Sequence, residues 1–600
     1  MARGPAMPRP SLKLALAFAS HLLIAGLKGE VLMIIGVDLG TTNSAVAVWR
    51  NGRAELIPNA LGDMLTPSAV SITESGQVLV GSAARDRQST HPHESVTTFK
   101  RRMGTQQTVK IHGHTYAADD LSSLVLRSLK EDAESYLGET VTGAVVTVPA
   151  YFNERQRRAT RRAGELAGLK IERLLNEPTA AALAFGVADR AEREPFLVFD
   201  LGGGTFDVSI VEVFDGIVEV RASAGDNRLG GEDFNAALID VARGKADPGN
   251  ALAAADPIIA QELLRAAAER TKRALTDAQS APFSVTWNDR TFSAKISATE
   301  FDRAVEPLIE RLREPVLRSL RDSGIRVETL SEVVLVGGAT RTPAVRRAIT
   351  RMFGRFPNTA IHPDHAVALG AAVQAGLLAR DAALDEIRLT DVCPFTLGVD
   401  HAERDSRGAM RSGLFSPIIE RNTVIPVSRV NRYITVSDNQ RVVQFGIYQG
   451  EAREVSGNVK LGEVQVPVPP RPAGHVAIDC RFSYDTSGLL EVDVLVPETG
   501  IFKNLVIADD ADTVSPEALA ERRAVLAELK LHPRDMSENA AVLARARRCY
   551  ESFLGDQRHQ IGQATLDFES ALESQQPRVI QAARAELTAI LNALEGERFL

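Results

Sequence analysis

Phe199-Asp200-Leu201-Gly202-Gly203-Gly204-Thr205-Phe206-Asp207 and its earlier counterpart Gly36-Val37-Asp38-Leu39-Gly40-Thr41-Thr42-Asn43-Ser44 decide how this chain is read. In each copy an apolar segment enters Asp-Leu-Gly, a Thr-bearing turn follows, and a second apolar segment leaves, Ala45 to Val48 in one and Val208 to Val213 in the other. That is the pattern of two strands joined by a tight turn. Glycines let a backbone approach a phosphate closely and aim amide donors at it, and threonine hydroxyls add donors without charge. A carboxylate at each strand end faces the same place, and two carboxylates beside a polyphosphate call for a cation between them. The pattern predicts a magnesium nucleotide held between two hairpin tips. A single Asp-Leu-Gly is more often a surface turn, so the weight rests on the repeat at matched positions.

Working outward, the same chain carries Val148-Pro149-Ala150-Tyr151-Phe152, Asn176-Glu177-Pro178-Thr179-Ala180-Ala181, Leu229-Gly230-Gly231-Glu232-Asp233-Phe234 and Val334-Leu335-Val336-Gly337-Gly338-Ala339-Thr340-Arg341. With the two hairpins, this set resembles the 70-kDa heat-shock chaperones, most closely the bacterial HscC branch of the DnaK-like proteins. The resemblance runs from about Ile34 to the end and is most specific before residue 384. It implies a two-lobed actin-like α/β ATPase domain over 34–384, an interdomain linker at 385–391, an antiparallel β-sandwich that binds peptide over 392–512, and a short C-terminal helical lid over 513–600.

Composition agrees with several domains: 600 residues exceed what one core supports. The chain is 44% hydrophobic and 24% charged, as ordinary globular proteins are. A net charge of -8 argues against a general nucleic-acid or anionic-membrane binder. Cys393, Cys480 and Cys549 are far apart, with no Cys or His neighbour at metal-ligand spacing, and read as thiols in a reducing compartment, hence a cytoplasmic protein. Residues 1–33 form an N-terminal extension in which Arg3, Arg9 and Lys13 precede the mostly apolar run Leu14 to Leu27. That is the outline of a signal peptide, but Ser20 and His21 interrupt it and a strand starts at Ile34, so an over-extended start with initiation at Met33 is expected ahead of export.

From Ile34 to Leu384, short apolar runs (Ala144 to Val148, Phe196 to Phe199) alternate with helical compositions (Glu154 to Ala167, Pro257 to Thr276). Glu269, Lys272, Arg273 and Thr276 are spaced to share one helical face. The resemblance assigns that face, with Arg341 and Asp364, to the adenosine wall. Val333 to Gly338, an apolar strand ending in Gly337-Gly338, is a third phosphate-region signal, and because Ala339 stands where relatives often carry Ser, one hydrogen bond to the nucleoside is expected to be missing. It also implies ATP and Mg²⁺ as cofactors, with Asp38 and Asp200 holding the cation mainly through water and Asp207 supporting. Gly40, Thr41, Thr42, Asn43, Gly202, Gly203, Gly204, Thr205, Gly230 and Gly231 are then nucleotide-binding. Lys100, Glu177, Asp200 and Thr205 are the expected catalytic set, Lys100 stabilising the transferring phosphoryl oxygens and Glu177 orienting water. Pro149 and Arg157 match positions that relay the nucleotide state.

The linker of relatives is a run of leucines between acids, whereas here Asp385-Glu386-Ile387-Arg388-Leu389-Thr390-Asp391 carries Arg388 within it, which puts the strength of coupling in question. Beyond it, Val476, Ile478, Cys480 and Phe482 alternate with polar residues, the turn Asp485 to Gly488 follows, and Leu490, Val492, Val494 and Val496 alternate with Glu491, Asp493 and Leu495. This predicts a hairpin with one apolar face. The resemblance places the peptide pocket at Val399, Tyr433, Val443, Phe445 and Ile478, with an arch at Ala402 and Val436. Ser515 and Pro516, before Leu519, Leu526 and Leu529, give the start signal of the lid.

The function expected is an ATP-dependent chaperone that binds extended hydrophobic peptides of unfolded proteins, with a J-domain co-chaperone as partner, use of a nucleotide-exchange factor open, and no stable membrane association. Two rivals stand beside it. A metabolic kinase of the same ATPase fold would have no use for the sandwich, and a holdase or exchange relative would bind ATP without turnover.

Overall fold

The strand Ile34–Asp38 forms because branched apolar residues flank Gly36 on a run too short for a helix, and it becomes the centre of a first sheet. In this computed structural model, which describes residues 33–188, 193–214, 216–245, 256–287, 290–358, 361–384, 387–404, 409–486, 488–507, 526, 530 and 533–596, that strand pairs in parallel with Gly143–Val148 and antiparallel with Asn43–Arg50. Lys170–Asn176 extends the parallel side and Arg53–Ile57 the antiparallel side. The second sheet repeats the plan. Arg193–Leu201 pairs in parallel with Val333–Val336 and antiparallel with Phe206–Phe214, which in turn pairs with Ile217–Asp226.

Two helices hold the sheets together. Glu177–Ala188 and Ala366–Leu378 are dominated by Ala, Val, Leu and Gly, and a helix apolar on every side belongs in an interior. The latter packs on the first sheet, the former on the second, and each packs on the other. Gly370 lies so close to Ala180 that a Cβ there would meet the facing backbone, and Gly36 meets Ala372 in the same way. One core containing Val145, Leu175, Phe185, Phe196, Val336 and Ala375 therefore spans both sheets. The Asp-Leu-Gly turns of the two hairpins come out at the same end of this stack, facing each other.

The strand Arg388–Val392 adds to the second sheet in parallel, with Ile217 opposite Arg388, Val218 opposite Leu389 and Glu219 opposite Thr390. Alternation along this strand turns Arg388 to solvent while Leu389 packs against the shared core. Arg388 therefore does not interrupt the docking, since its amide donates to Gly216 O at 3.0 Å whatever its side chain is. Asp385 and Glu386 lie outside the described residues.

Two four-stranded antiparallel sheets follow, and Leu397, Val399, Phe445, Ile478, Phe482 and Val494 share one core between them. The sequence predicts polar Glu491 and Asp493 on a solvent face, yet both are buried. Lys530, at 2.8 Å from Glu491 and 2.5 Å from Asp493, covers them, and Asn504 Nδ2 donates to both carboxylates. Helices Ser537–Ser552, Gly555–Ser574 and Pro577–Gly596 close on a separate core of Leu543, Ile561, Phe568, Leu572, Leu587 and Leu591. Ser515, Pro516, Leu519 and Leu529 lie outside the described residues, as do residues 1–32. No helix among the described residues is long and apolar enough to cross a membrane.

Leu389→Asp should release the linker strand, because a charge would replace an apolar side chain packed on the core, at a cost of about 2 kcal/mol or more. Amide hydrogen exchange over residues 388–392 is expected to rise at least tenfold, whereas Arg388→Leu should leave it within twofold. Equal effects of the two substitutions would refute this docking geometry.

Candidate active site

The two hairpin tips meet across a cavity of about 610 Å³. A Cβ on Gly203 would fall on the Thr42 hydroxyl, and one on Gly204 would reach Thr41 Cγ2 at 2.8 Å. The glycines of the second tip are therefore required by the approach of the first. Gly231 N donates to Gly202 O at 2.9 Å and Glu232 N to Gly203 O at 2.8 Å, which fixes the start of helix Gly231–Lys245 against the same turn. Asp38, Gly40, Thr41, Thr42, Asn43, Asp200, Gly202, Gly203, Thr205 and Gly231 all line the cavity. Gly204 and Gly230 pack behind that wall, with a Cβ on Gly230 falling 2.5 Å from Gly204 N.

Lys100 comes from the short turn Phe99–Arg102, entered through Thr98 in the left-handed region at φ 54. Phe99 anchors the turn in the core, and Lys100, only 3% exposed, reaches Glu177 Oε1 at 2.6 Å. The Phe152 ring lies 5.6 Å beneath its ammonium. Lys100 and Glu177 thus form a buried ion pair at the cavity floor.

Four carboxylates share that one lysine. Burial, followed by repulsion from Glu177, raises Asp38 to about 7 although part of its surface opens to the cavity. The same two causes carry Asp200 well above the ordinary range and Asp207 to about 8. Asp207 does not line the cavity; it lies under the turn, where its Oδ1 accepts from Tyr151 N at 3.4 Å. No group of three His, Cys, Asp or Glu among the described residues is arranged to hold a metal on its own.

At the far end, helix Pro257–Ala274 presents Glu269, Lys272 and Arg273. Burial alone would raise Glu269, but Lys272 and Arg273, each 2.7 Å away, hold it at about 2. The helix ends before Thr276, which continues the wall from a turn in which its amide donates to Arg273 O at 3.1 Å. Gly337, Gly338, Ala339, Arg341 and Asp364 complete this end, Arg341 and Asp364 pairing at 2.6 Å. The sequence reading missed Leu65, Glu232, Asp277, Thr342, His362 and Pro363, which also line the cavity. His362 and Pro363 stand directly before Asp364, and His362 Nε2 is 3.0 Å from Arg341, so adjacency was an available signal. Leu65 offered none.

The cavity floor connects to the strand Arg388–Val392 through adjacent residues. Glu177 faces Lys100, while Asn176 Nδ2 donates to Asp391 Oδ2 at 3.2 Å. Arg157 Nη2 donates to Asn176 Oδ1 at 2.6 Å, and its Nε donates to Phe152 O at 3.1 Å, in the turn where Phe152 N bonds Pro149 O. A reciprocal cap between Asn153 and Gln156 starts the helix Glu154–Leu166 that aims Arg157. The C-terminal sheets join the same junction. Arg421 Nε donates to Asp322 Oδ2 at 2.7 Å, Asn422 Nδ2 to the same oxygen at 2.8 Å, and Glu154 N to Gln449 Oε1 at 3.0 Å.

A second cavity, of about 690 Å³, opens in the C-terminal sheets. Tyr433, Val443 and Phe445 line it, with Ala402 and Val436 at its edge. Val399 and Ile478 are wholly buried beneath it and belong to the core instead. Tyr433 Oη bonds Ser416 Oγ at 2.9 Å and its ring leans on Phe445 at 5.3 Å, so this wall is fixed at both ends.

The family description "Hsp70 protein" matches residues 34–111 and 105–598. Among individual proteins, the chaperone protein DnaK of Thermotoga neapolitana is similar, at 40% identity over 485 residues, which cover 79% of this chain and 80% of that one. The DnaK proteins of Thermotoga petrophila and Thermotoga maritima match over the same shares at the same identity.

Asp38 and Asp207 keep protons in the folded protein that ordinary carboxyls near 3.8 have lost in the unfolded chain. Their contribution to stability is full below about pH 4 and is lost as pH rises through 7 to 8. Without added cation or nucleotide, the unfolding free energy is expected to fall between about pH 4 and pH 8, by up to about 1.4 kcal/mol per pH unit for each proton, and the thermal unfolding midpoint falls with it. Asp207→Asn should flatten the curve. If the substitution leaves the pH profile unaltered, Asp207 is not the group responsible.

Proposed function

The chain belongs to the Hsp70 family, and from that premise we propose how its two cavities share the work of an ATP-dependent chaperone. Hsp70 proteins of the DnaK kind are ATPases, and so is this chain. In our reading residues 34–384 are a two-lobed actin-like ATPase domain, 385–391 the linker, 392–512 a peptide-binding sandwich and 513–600 a helical lid. The motif set points to the HscC branch.

The single observation that carries the reading is the pair of neighbours Asn176 and Glu177. One reaches the linker and the other the catalytic lysine, so a change at the cavity floor is felt at Asp391 within one residue. The residues present fit a polyphosphate with Mg²⁺: the two tips approach so closely that a Cβ on Gly203 would meet Thr42, and burial followed by repulsion from Glu177 raises Asp38 and Asp200, a penalty that a cation would relieve. Asp38 and Asp200 would face the cation through water, which would neutralise phosphate oxygens during transfer. Lys100 places a compact charge beside the transferring phosphoryl group, and Glu177 accepts a hydrogen bond from the attacking water and orients it. Thr41, Thr42, Thr205 and the backbone amides of both tips hold the phosphates, while Glu269, Lys272, Arg273, Thr276 and Arg341 enclose the nucleoside.

In the second cavity an extended segment of an unfolded protein would seat an apolar side chain against Tyr433, Val443 and Phe445. ATP favours release and hydrolysis favours retention, with Pro149 and Arg157 in the relay. A J-domain protein is the expected partner and the cytoplasm the expected compartment. Use of an exchange factor depends on the segment between Phe234 and Pro257, part of which lies outside the described residues.

The direct test is the release rate of a fluorescent hydrophobic peptide with and without ATP and Mg²⁺. Faster release with ATP is expected; a protein that never binds the peptide would overturn the reading. Lys100→Ala should retain ATP within a few fold while turnover falls by a factor of at least about 100, the scale of losing one charge-stabilising group. Turnover at the original rate would remove Lys100 from the mechanism.

A further inference from the structure

The ATPase strand that pairs with the linker strand is reached by the C-terminal helices. Helix Gly555–Ser574 stops at Gln575, whose φ of 53 reverses the chain into helix Pro577–Gly596. This turn touches two separate bodies. Gln575 Nε2 donates to Val430 O, at 3.4 Å, on the sandwich strand Val427–Ile434. Arg578 Nη2 donates to Glu219 Oε1 of the ATPase strand Ile217–Asp226.

Glu219 is not an ordinary surface acid. Its side chain is 7% exposed, and its residue stands opposite Thr390 in the register of the linker strand. A carboxylate so far from water needs a cation or a full set of donors, and Arg578 supplies the guanidinium. Arg578 itself is 50% exposed, so it loses little solvation by reaching in.

We propose that the strand edge at Glu219 is a docking surface for the helical bundle, and that the turn Gln575 to Arg578 acts as a clip fastening the sandwich and the linker strand to the ATPase domain. The clip gives the bundle a second task beside covering the peptide cavity. It favours the docked linker through the strand the linker pairs with, by a contact some 190 residues further along the chain, about a third of its 600 residues. This rests on reading 385–391 as a coupling linker, so the test must separate the two.

Hydrogen exchange over residues 388–392 is to be measured in the full chain with ATP and Mg²⁺, for the unaltered protein, Arg578→Glu, Glu219→Arg and the double swap. Arg578→Glu changes a half-exposed residue and leaves the bundle core intact. It is expected to speed linker exchange about tenfold, as loss of one buried-acid partner does, and the double swap should return it to within about twofold of the original. Unchanged exchange in Arg578→Glu, or a double swap as fast as the single variants, would overturn the clip. Peptide release is followed in the same samples: a response to ATP that persists while the clip result fails leaves the chaperone reading standing, whereas loss of that response in the unaltered protein counts against the chaperone reading alone.

Discussion

Everything in this molecule is arranged around a deficit of positive charge. Asp38, Glu177, Asp200 and Asp207 are gathered in a space that supplies Lys100 as their shared ammonium; burial and repulsion from Glu177 raise Asp38 to about 7, Asp207 to about 8 and Asp200 well above the ordinary range. Such a cluster is unfavourable by itself, and it is held because two sheets, two apolar helices and a shared core leave the hairpin tips no other place to go. The stored cost is what makes the cavity responsive: a ligand that brings cationic charge relieves it, and the relief is transmitted through whatever the carboxylates touch.

What they touch is the junction. Glu177 and Asn176 are consecutive, so the orientation of one constrains the other, and Asn176 holds both Arg157 and the linker's Asp391. Asp322, at the end of the long helix Ala298–Ser323, receives Arg421 and Asn422 from the sandwich side. The interface is thus polar and multiply bonded, a form that makes and breaks more readily than an apolar seam and suits reversible docking.

The two hairpins were legible in the sequence because the same strand, Asp-Leu-Gly, Thr-bearing turn and strand occurs twice, a repeat that a chance surface turn would not produce. The strands around them followed from apolar runs of strand length. Lys100 and Glu177 were legible only by resemblance, since a lysine in Phe-Lys-Arg-Arg looks solvated until Phe99 is known to be in the core. Arg388 looks disruptive inside an apolar run, but in the paired strand it points outward, a placement that the run alone does not reveal. Glu491 and Asp493 misled in the opposite way: alternation marks them as exposed, and a distant Lys530 covers them. Val399 and Ile478 lie beneath the second cavity because an alternating strand does not say how deep its inward face sits. Contacts made by residues far apart in sequence, such as Arg578 on Glu219, leave no local pattern at all.

The linker's conformation has one more consequence. Because it pairs as a strand in register, successive side chains point to opposite faces, one every 3.3 Å or so, with Arg388 exposed and Leu389 against the shared core. A slip of one residue would drive Arg388 into the apolar core and turn Leu389 out to water. No intermediate position satisfies both the ladder and the core, so the strand is either paired in this frame or not paired. Insertions or deletions here should be far less tolerable than substitutions at outward positions, and the linker behaves as a reading frame written in structure.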